Sequence, residues 1–194
     1  MKPLEAFIVT MEKKMNDTIT IAGGIELYVD PKYDEFKHRV NEAEVVAVPY
    51  KFETGVSPGD TLYFHHHVVV NDGQPLTGEK DSYIVNYSET AINNQAIAYR
   101  KKGTDEVIPL GGWAVLEPIV EEKEKLSEII EVIEFKEEDT KKGKVAFYAD
   151  YFDEIGIKIG DVVVFNPKFG YKFKIDGKDY LRIRLIDLLY VETN

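Results

Sequence analysis

Cysteine is absent from the 194 residues. A disulfide framework, a thiolate zinc site and a cysteine nucleophile are thereby excluded, and a reducing compartment is permitted. No apolar run approaches the roughly 20 residues of a membrane-spanning helix. The first residues lack the basic-then-apolar profile of a secretory signal, and Met1 to Thr20 is not the Arg- and Ser-rich stretch of a transit peptide. A soluble, cytoplasmic chain is the expectation. Positive charge is scarce: 24 Lys and Arg stand against 35 Asp and Glu, a formal charge of -11. That balance argues against nucleic acid as a partner, even with 12 Tyr available for stacking on bases. Proline is low at 8 and hydrophobic residues reach 44%, the composition of a folded globular protein.

Catalytic signatures are missing too. There is no phosphate-binding glycine loop, Gly-x-Ser-x-Gly elbow, His-Glu-x-x-His run or dinucleotide fingerprint after a strand. Paired carboxylates such as Glu121-Glu122 and Glu137-Glu138-Asp139 are adjacent in charged stretches. Acid–base catalysis needs two carboxyls held across a pocket with separated pKa values, so these read as solvated faces. No enzyme and no cofactor are expected. In His65-His66-His67, His65 and His67 share a face if the segment is a strand. Two ligands fall short of a metal site, and a polar strand edge is the plainer reading.

What is present is a repeat. Gly55-Val56-Ser57-Pro58-Gly59-Asp60-Thr61-Leu62-Tyr63-Phe64 is matched by Gly156-Ile157-Lys158-Ile159-Gly160-Asp161-Val162-Val163-Val164-Phe165. Such duplication predicts one β-fold used twice, in two domains of roughly 90 residues. Strand signals run through both halves: Ala6–Val9, Glu44–Val48, Thr61–Val70 and Tyr83–Tyr87, then Trp113–Leu116, Lys144–Tyr148, Val162–Phe165, Tyr180–Leu185 and Leu188–Val191. Turn chemistry separates them at Asn71-Asp72-Gly73, Asn166-Pro167-Lys168 and Asp176-Gly177. Lys101–Asp105 reads as the linker, giving domains 1–105 and 106–194 joined near residues 101–110. Two segments break the pattern. Residues 11–30 carry Gly23-Gly24 and read as a mobile excursion. Residues 120–143 are dense in Glu and Lys around Leu126, Ile129, Ile130 and Ile133, which suits a helix face or an exposed charged loop.

The order of these features resembles the GroES-type co-chaperonins: an opening strand, a long loop with Gly23-Gly24-Ile25-Glu26-Leu27, a Val-rich strand, the Gly-x-x-x-Gly-Asp-x-x-x-Phe motif, and Ile186-Asp187-Leu188-Leu189-Tyr190-Val191 near the end. The second half is the closer match, over Gly156 to Val191. The resemblance implies an all-β chain of two GroES-like, partly open barrels in tandem. It also implies a homo-oligomeric ring that caps a GroEL-type chaperonin and encloses an unfolded client without chemistry, cofactor or metal of its own. Docking would fall to Gly23, Gly24, Ile25 and Leu27, and in the second half to Ile129, Ile130 and Val132. In an extended loop Ile25 and Leu27 share a face, with Glu26 on the other.

The chain departs from the family in several places. Glu26 stands where an apolar residue is usual, and no Gly-Gly precedes the second apolar cluster. The stretches Val48–Gly55 and Tyr148–Gly156 are too short for a roofing hairpin, as in some phage-encoded members. Subunit contacts are expected at the first and last strands of each barrel, whose edges need pairing. The alternative function is a viral or cellular assembly protein that keeps the barrel as an oligomerisation module.

Overall fold

The structure, a computed structural model, describes residues 2–30, 38–68, 74–76, 78–79, 81–90, 93–121 and 137–192. Among the described residues the regular structure is strand with almost no helix, and the chain divides into two compact units, Met1–Gly111 and Gly112–Asn194. The division falls at Gly111/Gly112 rather than at 105/106. Residues 101–106 form a turn inside the first unit, closed by Thr104 N–H donating to the Lys101 carbonyl at 3.1 Å.

The first unit holds β1 (Ala6–Thr10), β2 (Thr18–Ile21), β3 (Ile25–Tyr28), β4 (Glu42–Ala47), β5 (Thr61–Phe64), β6 (Gln74–Pro75), β7 (Ser82–Asn86), β8 (Ala96–Arg100) and β9 (Val107–Pro109). Seven of these make one antiparallel sheet in the order β6-β7-β1-β4-β5-β8-β9, and β2-β3 stand apart as a hairpin. The second unit holds β10 (Trp113–Glu121), β11 (Glu137–Val145), a short helix α1 (Tyr151–Ile155), β12 (Val162–Phe165), β13 (Tyr171–Ile175), β14 (Lys178–Arg184) and β15 (Leu188–Glu192). Its sheet runs β13-β14-β10-β11-β12-β15. Matched in chain order, β1, β4, β5, β6, β7 and β8 take the places of β10, β11, β12, β13, β14 and β15. Both sheets end in strands rather than closing on themselves. Hydrophobic alternation follows from one buried face: Phe7, Val9, Val45, Leu62, Phe64 and Val85 form one core, and Leu116, Val145, Phe152, Val163, Phe165 and Ile183 the other.

The repeated motif explains the match at atomic level. Gly59 and Gly160 both adopt φ 92°, a left-handed conformation that glycine reaches without Cβ strain. Gly59 N–H donates to the Val45 carbonyl at 2.8 Å, and Val45 N–H returns to the Asp60 carbonyl at 2.9 Å. Gly160, Asp161 and Val145 repeat this pair at 2.9 and 2.9 Å. Each Asp then closes its own turn: Asp60 Oδ2 accepts from Ser57 N–H and Asp161 Oδ2 from Lys158 N–H, both at 2.8 Å. Register slips after Tyr63 and after Val164, so even the irregularity next to the motif's Phe recurs.

Three expectations about edges change. β1 lies between β7 and β4, and β10 between β14 and β11, so neither opening strand is an edge. β8 is covered by β9. Among the last strands only β15 keeps a free side in the described residues. The reason is topological: each opening strand starts in the sheet's interior, where later strands pair on both its sides.

Candidate docking site

Between β1 and β4 the chain leaves the sheet as the β2–β3 hairpin rather than as an irregular loop. Thr18-Ile19-Thr20-Ile21 and Ile25-Glu26-Leu27-Tyr28 alternate with period two, and Ala22-Gly23-Gly24 reverses the chain. Gly24 N–H donates to the Ile21 carbonyl at 3.1 Å. Gly23 and Gly24 sit at φ 90° and 76°, where a side chain is strained, and no atom lies within 4 Å of a Cβ built on either. The paired glycines that argued for mobility are here the turn of a formed hairpin.

Register decides what the hairpin presents. Ile19 pairs with Leu27 and Ile21 with Ile25, so all four aliphatic side chains project from one face. Thr18, Thr20, Glu26 and Tyr28 occupy the other. Glu26 is the single charge between Thr18 and Tyr28, and it points away from the aliphatic face. Exposure is 43% for Ile19, 41% for Ile21, 57% for Ile25 and 44% for Leu27. Four half-exposed aliphatics thus lie together on one face of a two-stranded ribbon. Ile25 and Leu27 are the pair expected from sequence. Ile19 and Ile21 were missed, although the Thr-Ile-Thr-Ile alternation before Gly-Gly was the signal that could have found them.

The stalk below is tied to the unit. Met15 bridges Arg39, Asn16 N–H donates to the His38 carbonyl at 2.7 Å, and Val29 N–H donates to the Asp17 carbonyl at 2.8 Å. Lys13 Nζ donates to Asp17 Oδ1 at 3.1 Å, and this hydrogen bond holds the Asp17 carboxyl below its usual pKa. The corresponding excursion of the second unit, with Ile129, Ile130 and Val132, lies outside the described residues.

The histidine triplet lies near this stalk through Arg39. β5 ends at Phe64 and His66–Val68 is a 3-10 turn, so the strand expected through His67 is broken. The turn gathers ligand atoms of all three imidazoles within 4.8 Å of one another. Two of the three are engaged through Nδ1, however. His66 Nδ1 accepts from Arg39 Nη1 at 3.2 Å, and His65 Nδ1 from His67 N–H at 3.3 Å. A neutral imidazole has one acceptor nitrogen, so in both rings Nε2 carries the proton and cannot bind a cation. The neighbouring guanidinium adds repulsion. This donor set fits a divalent metal poorly.

In the carboxylate run, Asp139 Oδ1 accepts from Lys141 N–H at 2.8 Å, a local side-chain-to-backbone bond within β11. No helix among the described residues is long and apolar enough to cross a membrane.

Residues 106–191 match the family model for the chaperonin 10 Kd subunit, Cpn10. The co-chaperonin GroES of Kosmotoga olearia is 37% identical over 84 residues, spanning 43% of this chain and 93% of that protein. GroES of Thermotoga maritima is 36% identical over 85 residues, 43% of this chain and 92% of the relative. GroES of Coprothermobacter proteolyticus is 33% identical over 93 residues, 44% and 94% respectively. With nearly the whole of these relatives covered, the chain belongs to the chaperonin 10 Kd, or GroES, family.

Proposed function

We propose that the chain is a tandem co-chaperonin: two GroES-like modules per polypeptide that assemble into a ring and cap a GroEL-type chaperonin, assisting ATP-dependent protein folding. The observation that carries this reading is the β2–β3 hairpin, which offers Ile19, Ile21, Ile25 and Leu27 on one exposed face beside the Gly-Gly-Ile-x-Leu sequence. The repeated strand order and motif bonding support the tandem arrangement, because they give residues 1–105 the same framework as the stretch that matches the family.

The energetics suit a reversible cap. Full burial of an aliphatic side chain contributes about 1.5–3 kcal/mol, so completing the burial of four half-exposed ones contributes roughly 3–6 kcal/mol per hairpin. Association and ordering costs offset much of that for a single hairpin. A ring presenting several hairpins binds multivalently, firm in sum and weak at each point.

The test is capture of a GroEL-type chaperonin with adenine nucleotide by the parent and by Ile25→Asp/Leu27→Asp. The parent should bind and the double variant should lose capture while keeping its native mass. Capture by the double variant equal to the parent's would overturn the docking assignment. An intact oligomer that never binds a chaperonin would leave the module as an assembly device.

A further inference from the structure

Arg182 and Arg184 alternate onto the same face of β14, and only one of them is complete. Arg184 donates to Asp187 through Nε and Nη2, the second bond at 3.0 Å, so its charge meets a carboxylate. Arg182 is held differently. Its guanidinium carbon lies 4.0 Å from the centre of the Trp113 ring and 4.9 Å from that of Tyr171. Ring faces attract a cation, but they do not replace the oxygen acceptors that its N–H groups need. Among the described residues nothing accepts a hydrogen bond from Arg182 Nε or Nη1, or from Trp113 Nε1, and all three atoms are sealed from solvent. Burial pulls the Arg182 pKa down to about 10, which still leaves it charged at neutral pH.

The framework does not require this arrangement. Val9 pairs with Val45 as Leu116 pairs with Val145, which aligns β1 with β10 residue by residue. By the pairings that follow, Ala6 stands in the first unit where Trp113 stands in the second. Ile84 likewise takes the place of Arg182, and Gln74 that of Tyr171. The first unit thus builds the same strand pairs without the arginine or either ring. A buried charge with no counter-charge is costly, and this fold has a version that does without it. Three close-set donors with no acceptor are what an oxyanion completes.

We propose that Arg182 and Trp113 Nε1 form a binding site for a small oxyanion, a carboxylate or inorganic phosphate, in the second unit. The guanidinium supplies the charge and two donors, and the indole supplies a third donor and one wall. Part of Arg182 remains exposed, which gives the anion its first contact. Tyr171 is half-buried and opens β13, a terminal strand of the sheet, so it is the ring that shifts to uncover the sealed nitrogens. Arg184 cannot share the role, because Asp187 already fills it. The site is independent of the hairpin, and its test needs no chaperonin.

Trp113 is the only tryptophan, so its emission reports on the site directly. The full chain is titrated with sodium phosphate and, separately, with sodium acetate, each balanced by sodium chloride to constant ionic strength. At least one should give a saturable change in Trp113 emission, and the one that does identifies the oxyanion. The thermal unfolding midpoint should rise over the same concentration range. Arg182→Met should lose both responses yet be at least as stable as the parent in chloride, because it removes an unpaired buried charge. Arg182→Lys keeps the charge without the planar fork and should bind more weakly than the parent. Arg184→Lys should keep both responses. No saturable change with either anion, or an equal response from Arg182→Met, would overturn the proposal. So would a marked loss of stability of Arg182→Met in chloride, which would make the stacked cation a part of the fold's own packing.

Discussion

Asp60 and Asp161 stand at the same place in the repeat and carry different loads. Asp60 is buried and uses both oxygens, Oδ2 for Ser57 N–H and Oδ1 for Lys102 N–H at 2.9 Å. Asp161 is half-buried and closes its turn through Lys158 N–H. Hydrogen bonds to charged acceptors stabilise most when removal strands a buried donor. Asp60→Ala should therefore cost about 3 kcal/mol and Asp161→Ala about 1 kcal/mol. Urea unfolding followed by circular dichroism for the first, and by Trp113 fluorescence for the second, checks the ranking. Tyr151 gives a pH signature in the second unit. Its hydroxyl donates to the Trp113 carbonyl, and burial raises its pKa above the ordinary 10. Above pH 10 the unfolded chain releases this proton while the folded chain keeps it, so stability is full below pH 10 and falls as pH rises beyond it. Tyr151→Phe should flatten that fall. An unchanged slope between pH 9 and 11 in the Trp113 signal would show that the buried phenol is not its source.

Among the elements, the hairpin depends on its turn. Gly23 and Gly24 hold left-handed backbone, which costs other residues about 1–2 kcal/mol each. Gly24→Val should thus raise the local opening of β2–β3 by roughly tenfold, by the lower part of that range, and leave both cores intact. Amide exchange at Ile19 and Leu27 measures the opening; exchange that does not accelerate would mean the ribbon is held by something other than its turn. How far such elements could be read from sequence depends on burial. β12 coincides with the Val162–Phe165 expectation, and β1, β7 and β15 with theirs to within a residue or so, because one buried face enforces alternation bounded by turn residues. Asp176-Gly177 forms the expected turn, both at positive φ, between the paired ends Ile175 and Lys178. Missed were β8, where Ala96-Ile97-Ala98-Tyr99 is buried throughout and shows no alternation, and β9, too short for any periodicity. The hairpin was missed for a different reason: two glycines raise chain entropy in isolation, yet cross-strand pairing can select the one conformation they uniquely allow. Half of the hairpin's aliphatic face was therefore legible as Ile25 and Leu27, and the half on β2 required the register.

Across the whole molecule, charge opposes the ring assembly proposed for the chain. A formal charge of -11 means that each copy joining an oligomer meets like charge, and such repulsion keeps acidic proteins apart at low ionic strength. The groups open to such contacts are the backbone edge of β15 and the aliphatic side chains on the hairpin, neither of which salt weakens. Some ion pairs, such as Lys142 with Glu192 at 2.6 Å, are exposed and contribute little. Screening at about 0.1 M salt reaches a Debye length of about 10 Å, enough to suppress the long-range repulsion without touching contacts at bonding distance. The self-association constant should therefore rise between low salt and about 0.3 M NaCl, read as native mass against concentration by light scattering. Salt-induced dissociation of the parent would mean that ion pairs, rather than apolar side chains and backbone hydrogen bonds, hold the copies together.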